Sequence, residues 1–308
     1  MLLALAPLGA ALFARGPAQP TAQFPTLPTH ALENAHRVTD KVLSGAAPEG
    51  DEAFAALRDM GVKTIISVDG AKPDVERAHR FGLRYVHLPI GYDDVAPEEG
   101  RAIARAIDEV EGPVYIHCHH GKHRSAAAVA TACVMNGRLR PEQAEAVLKT
   151  FGTGVNYKGL WASALSARPL PKAELDAVKV DYREAAPIPP LAEAMVEIDQ
   201  TLDRLKLAEQ AGWRGPPSHP DVDPPHEALQ LMEKLRELGR TREVQARPQA
   251  FQKMLADGEA GAQALHESLA AWPRTGAPPA PVAASMKTVT SACTACHKSF
   301  RDETSAAR

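Results

Sequence analysis

The chain has 308 residues, room for two domains of about 150 residues, each able to bury a core of its own. Hydrophobic residues make up 44% and charged residues 24%, globular proportions that exclude a wholly disordered, collagen-like or multi-span membrane chain. With 35 Lys and Arg against 38 Asp and Glu the net charge is -3, so the global charge points to no nucleic-acid partner and any anion site must be local.

Residues 1–22 open with an uncharged apolar run from Leu2 to Phe13, and the first charge is Arg15. At about 1.5 Å per residue such a run falls short of a hydrocarbon core of about 30 Å, so it reads as a secretory signal rather than a membrane span. It predicts an exported protein, periplasmic in a bacterium. Residues 23–37 continue a stretch punctuated by Pro17, Pro20, Pro25 and Pro28 and read as a tether.

From Val38 short units alternate. Val42 to Gly45 reads as strand and turn, and Asp51 to Met60 as a helix with Phe54, Leu57 and Met60 on one face, stopped by Gly61. Strands over Val62 to Val68 and Leu83 to Ile90 bracket a short helix over Asp74 to Arg80. Pro97 to Val110 then forms a helix with Ile103, Ile107 and Val110 inward. The pattern predicts an α/β domain over residues 38–166, a central sheet covered by helices.

The strand Val114 to Cys118 leads into His119-His120-Gly121-Lys122-His123-Arg124-Ser125 and then an alanine-rich helix to Met135. A strand ending in cysteine, a glycine turn and a helix start aim backbone N–H groups and a helix N-terminus at one spot beside the thiol, forming an anion cradle. The same positive field, with Lys122 and Arg124 nearby, favours the thiolate, which is the attacking form. Arg124 presents a planar fork to two phosphoryl oxygens, and Ser125 can hydrogen-bond the sulfur. His119, His120 and His123 diverge from consecutive positions on a tight loop, which argues against a metal site and leaves them as extra positive or hydrogen-bonding groups around the phosphate. Cys133, mid-helix, reads as a small core hydrophobe. A rhodanese-like persulfide loop is the nearest chemical competitor, but it would not require Arg124.

His117-Cys118, five residues, Arg124 and Ser125 resemble the signature of the cysteine-dependent protein tyrosine and dual-specificity phosphatases. Gly121-Lys122-His123-Arg124 is similar to the plant and fungal atypical group, some of which act on inositol pyrophosphates. The resemblance implies a phosphocysteine intermediate on Cys118, phosphoryl binding by the loop and Arg124, and a general-acid aspartate on a loop before the cysteine strand. Asp93 is the favoured candidate and Asp94 the second, both in Tyr92-Asp93-Asp94-Val95. The implied substrate is a phosphorylated protein or a small polyanionic phosphate.

Residues 167–189, with Arg168-Pro169-Leu170-Pro171 and Pro187-Ile188-Pro189-Pro190 around an amphipathic piece, predict a proline-rich, semi-rigid linker. Beyond it the character changes. Leu191, Met195, Ile198, Leu202 and Leu205 step at helical spacing, and helices over Pro225 to Leu238, Pro248 to Leu269 and Ala283 to Asp302 follow. Together they predict an all-α four-helix bundle over residues 190–308.

The last helix carries Cys293-Thr294-Ala295-Cys296-His297, the spacing for one covalent haem c, with His297 as the proximal iron ligand. A zinc site would need a second ligand pair, and a redox disulfide motif would open a helix after a strand. Covalent haem attachment outside the cytoplasm agrees with the predicted export. The motif and its continuation Lys298-Ser299-Phe300-Arg301 resemble the cytochrome c-prime family. In that family a first-helix residue faces the iron; Met195 stands at that place, either as a metal ligand or as an ordinary core side chain. The sequence thus describes an exported phosphatase fused to a haem domain that exchanges electrons with a partner or senses a ligand. The rival is an electron-transfer or gas-binding cytochrome whose phosphatase-like domain only binds phosphate.

Overall fold

The computed structural model describes residues 24–216 and 219–301; the signal-like segment, residues 1–22, lies outside them. Five strands, β1 (His36–Arg37), β2 (Val42–Ala46), β3 (Thr64–Ser67), β4 (Arg84–His87) and β5 (Val114–Cys118), form one sheet in the order β1-β2-β5-β3-β4. All neighbours are parallel except the antiparallel edge pair β1 and β2. The parallel strands are joined by α1 (Gly50–Asp59), α2 (Val75–Arg80) and α3 (Pro97–Glu109), and β5 is followed by α4 (Arg124–Met135), α5 (Ala144–Phe151) and α6 (Lys158–Ser166).

Central strand β5 is buried along its whole length, and its alternating side chains feed two cores. Val114, Ile116 and Cys118 pack with α3, α4, α5 and α6, while Tyr115 joins Phe54, Leu57 and Tyr85 on the other face. Helix α4 has no solvent face, since every residue from Arg124 to Val134 is buried. This is why it is built of alanine and valine rather than as an amphipathic stripe.

Two sequence expectations change here. The described part of the tether is docked: Phe24, Leu27, Leu32 and Ala35 are buried, and β1 extends the sheet. Its apolar side chains are spaced without period, and they cover the sheet edge although the prolines suggest a free strand. The proline-rich linker also lies along the domain. Its helix α7 (Lys172–Asp176) buries Leu175 in the first core, Asp176 pairs with Arg105, and the His87 N–H is received by the Arg183 carbonyl at 3.0 Å.

The C-terminal region is helical: α8 (Pro190–Gln210), α9 (Pro224–Gly239), a short α10 (Arg242–Gln245) capped by Thr241, α11 (Gln249–Ala271) and α12 (Ala280–Phe300). Proline stands in the first turn of α8, α9 and α12, where its missing N–H costs nothing. Leu205, Leu231, Leu265 and Val289 share one core. The helices pack as successive neighbours, α8 on α9, α9 on α11 and α11 on α12. Helices α8 and α12 face each other across a cavity.

Candidate functional site

Cys118 ends β5 between the ends of β2 and β3, the crevice at the carboxyl edge of a parallel sheet where α/β folds bind ligands. The loop that follows is held from outside. The carbonyls of His119, Gly121 and Lys122 accept from Ala47 N at 3.0 Å, Asn34 Nδ2 at 3.0 Å and Thr153 Oγ1 at 2.6 Å. In a planar trans peptide the N–H lies opposite the C=O, so these anchors turn the N–H groups of His120, Lys122 and His123 inward. Gly121 has φ +67° and sits so close to the Gly45–Ala46 peptide that a Cβ would lie 2.2 Å from Gly45 C, so only glycine allows this approach. The first turn of α4 completes a cradle of backbone donors and helix dipole.

Cys118 is a free, buried thiol that donates to Ser125 Oγ at 3.3 Å. Arg124 is buried too, and its Nη2 lies 3.0 Å from Asp69 Oδ1 and 2.9 Å from Tyr92 Oη. Its Nε is buried with no hydrogen-bond partner among the described residues, a donor left for a further acceptor. Burial opposes ionisation of Asp69, but Arg124, His117, His119 and the Ala71 N–H together hold its carboxyl below the usual range. Burial likewise opposes charge on Arg124, and Asp69, Tyr92 and Cys118 more than restore it. The guanidinium is thus fixed, charged and oriented before any ligand arrives.

The loop histidines do not line the cradle. His119 and His120 converge, ring centroids 4.2 Å apart, and face Asp203 of α8, while His123 Nδ1 accepts from Gly154 N at 3.2 Å and its ring packs on Tyr157. The expectation that these side chains diverge and bind phosphate is corrected: backbone N–H groups occupy the inner side, so side chains point outward. Lys122 is exposed. His117 is buried against Tyr85 and Tyr115, and burial holds it at about 4, hence neutral.

Asp93 and Asp94 sit next to Tyr92, whose ring centroid is 4.2 Å from the Arg124 guanidinium carbon. The Asp93 carboxylate turns back over Gly91. Asp94 is raised from its ordinary carboxyl value by partial burial and by the negative charges of Asp93 and Glu98, the direction that favours a proton donor. Burial also pushes the Tyr92 hydroxyl up to about 12, so it remains a phenol.

Sequence reasoning missed three groups. Asp69 lies just beyond β3, the neighbour of β5; a carboxylate at that strand end was a readable signal once the strand order was known. Asp203, and Arg301 at the end of α12, come from the helical region. The Arg301 guanidinium lies 4.3 Å from the Tyr92 centroid and its Nη2 donates to Tyr157 Oη at 3.1 Å. Nothing local in the sequence signals that these helices reach the phosphatase-like loop.

A second constellation lies between α8 and α12. Cys293, Cys296 and His297 line a small, largely apolar cavity, about 50 Å³, with Met195, Leu202 and Met254. The thiols are free and partly buried, and burial raises both above the ordinary thiol range. Two thiols at i and i+3 opening on one apolar cavity, with an imidazole and a thioether on its wall, fit the donor set of a covalently held haem.

A family model described as "Tc-R-P: Polymorphic toxin system, DSP-PTPase phosphatase" matches residues 42–138. A beta-lactamase hydrolase-like protein of Xylella fastidiosa is 28% identical over 133 residues, covering 40% of this chain and 30% of its own length. The dual specificity protein phosphatase TpbA of Pseudomonas aeruginosa is 32% identical over 96 residues, covering 30% of this chain and 42% of its own. The crystal structure of P. aeruginosa TpbA aligns with a TM-score of 0.42 at 21% identity, over 52% of this chain and 94% of that one. The chain spans under a third of the length of the curated relatives matched first. The N-terminal region resembles cysteine-dependent dual-specificity and protein tyrosine phosphatases.

Proposed function

We propose that the chain is an exported phosphatase that hydrolyses phosphate monoesters through Cys118 and carries a c-type haem in its helical half. The observation that carries the phosphatase reading is the loop: a buried thiol beside Ser125, backbone donors turned inward, and a buried Arg124 with Nε unspent. In this reading the Cys118 thiolate attacks phosphorus and the ester P–O bond breaks. The inward N–H groups and the Arg124 fork take up charge on the equatorial oxygens, and Asp94 or Asp93 gives the leaving oxygen its proton. A water then cleaves the S–P bond, with the same aspartate as base, releasing phosphate and restoring the thiolate, to which Ser125 donates. The substrate class is a phosphorylated protein or a small polyanionic phosphate.

For the helical half we propose one haem c of the cytochrome c-prime kind, attached at Cys293 and Cys296, with His297 as proximal ligand and Met195 on the opposite wall. The apolar cavity and the paired thiols support this. When bound, such a group supplies electron exchange with a partner or binding of a small gaseous ligand. The chain's own part is to exclude water with Leu202 and Met254 and to hold the two attachment sulfurs on one helix face. Covalent attachment outside the cytoplasm and the apolar residues 1–22 support a periplasmic location.

The test is p-nitrophenyl phosphate hydrolysis by the wild type and Cys118→Ser, with the visible spectrum recorded on the same samples. Turnover that vanishes in Cys118→Ser while the haem spectrum is unchanged is the expected result. A haem-loaded, inactive wild type would favour the cytochrome with a phosphate-binding module.

A further inference from the structure

The cluster between the two halves is explained neither by phosphate chemistry nor by the cysteine-lined cavity. One ring nitrogen each of His119 and His120 and carboxylate oxygens of Asp199 and Asp203 all lie within 4.8 Å of one another. His119 Nε2 is 3.2 Å from Asp203 Oδ2 and 4.0 Å from Asp199 Oδ2, and His120 Nε2 is 3.7 Å from Asp203 Oδ2. Bonds of about 2.0–2.1 Å to a tetrahedral zinc ion put neighbouring ligand atoms about 3.3 Å apart, so small side-chain adjustments would close this set on an ion.

We propose that His119, His120, Asp199 and Asp203 form a structural site for a divalent transition-metal cation of the zinc class, clamping helix α8 onto the loop that carries Cys118. The ligand types, two imidazoles and two carboxylates, suit zinc, and four protein ligands leave no open coordination position, as in a structural site. Charge supports it: two carboxylates neutralise a divalent cation and allow both adjacent histidines to be neutral. Without a cation, two imidazoles in contact share one carboxylate oxygen. Lys206 is the competing cation, but it takes the other Asp203 oxygen, Oδ1, at 2.7 Å and leaves Oδ2 to the cluster.

The supports on both sides are rigid. The His119 carbonyl is anchored by Ala47, and Asp199 and Asp203 stand one helical turn apart on a helix of 21 residues. Asp199 also lines the cavity of Cys293 and Cys296, so the site would link the loop, α8 and the cavity wall. It stands apart from the phosphatase reading, and its test reads no turnover.

The untagged, full-length, haem-loaded chain is stripped with a chelator and dialysed against zinc, and metal other than haem iron is counted. One zinc per chain is expected, with an absorption-edge spectrum showing only nitrogen and oxygen neighbours, including imidazole. Asp199→Asn with Asp203→Asn should weaken binding at least about 100-fold. Asp199→Asn alone, which keeps the His119–Asp203 pair and Lys206, should weaken it in a chain whose circular dichroism matches the wild type. No stoichiometric zinc, uptake indifferent to both variants, or sulfur in the coordination shell, placing the metal on Cys293 and Cys296, would each overturn the proposal.

Discussion

Cys118 faces the start of a helix, whereas Cys293 and Cys296 lie toward the end of one. The Cys118 sulfur meets Ser125 in the first turn of α4, where the unpaired N–H groups and the dipole draw negative charge. Cys293 and Cys296 lie toward the C-terminal end of α12, where the same dipole opposes a thiolate, and burial keeps both neutral. Cys133, in the last turn of α4, is fully enclosed, and burial pushes it up to about 12. Cysteine count therefore says little; position on the helix and the neighbouring charges separate the proposed nucleophile, the proposed pair of haem attachment points and a core side chain.

Arg124→Ala is the strongest way to break that contrast. It removes the phosphoryl fork and leaves Asp69 buried without its cation, so kcat/KM should fall by at least about 10³-fold and stability by about 3–5 kcal/mol. The spectrum of the haem proposed at Cys293 and Cys296 should be unchanged, because Arg124 spends its ion pair and hydrogen bond on Asp69 and Tyr92, neither of which lines the cavity. Kinetics and spectrum measured on one sample check both halves, and joint loss would show the two sites are not separable.

Asp94→Asn should follow with a loss in kcat of about 10²-fold. A general acid works protonated, so activity falls as pH rises through its pKa. Partial burial, Asp93 and Glu98 raise that pKa and move the alkaline limb upward. Asp94→Asn should erase the limb. Asp93→Asn, by removing a negative neighbour, should shift it to lower pH and leave kcat within a few fold. The reverse pattern in a pH–rate profile would assign the acid to Asp93.

The legible parts of the molecule were the contiguous ones. Strand, cysteine, glycine turn, arginine and helix follow one another in the chain, so the cradle could be read from residues 114–135 alone. Asp69 could not, because only the strand order places the end of β3 beside β5. The docking of Phe24, Leu27 and Leu32 was hidden by irregular spacing among prolines. His119 and His120 were read as diverging, whereas the loop anchored at the His119 and Gly121 carbonyls turns both rings to one side. Asp199 and Asp203 show as polar positions of an amphipathic helix, and nothing in their spacing says that a second domain lies opposite. In the helical half the periodic stripes marked four long helices, while the unpredicted α10 is a single turn too short to carry a period.

The remaining effect is on stability, and it separates the two halves by their buried ionisable groups. His117 is fully enclosed against Tyr85 and Tyr115, and burial lowers it from its ordinary 6.5 to about 4. The folded state therefore keeps the neutral ring through a range in which the unfolded chain takes up a proton. Stability from this group is complete above about pH 6.5, falls as pH drops toward 4, and loses nothing further below that, a total of about 3 kcal/mol. His123, held at about 4 by burial and nearby positive charges, acts in the same window, with less weight because it is less enclosed. His117→Phe keeps an aromatic ring between the tyrosines and has no proton to gain, so it should flatten this slope. Thermal unfolding of the full chain at pH 7 and pH 4.5 should show the sheet half melting earlier in acid and His117→Phe recovering most of the difference. The transition of the helical half, followed through the haem proposed there, should not respond to the substitution. Equal acid sensitivity in wild type and variant would mean that His117 is not the group that titrates.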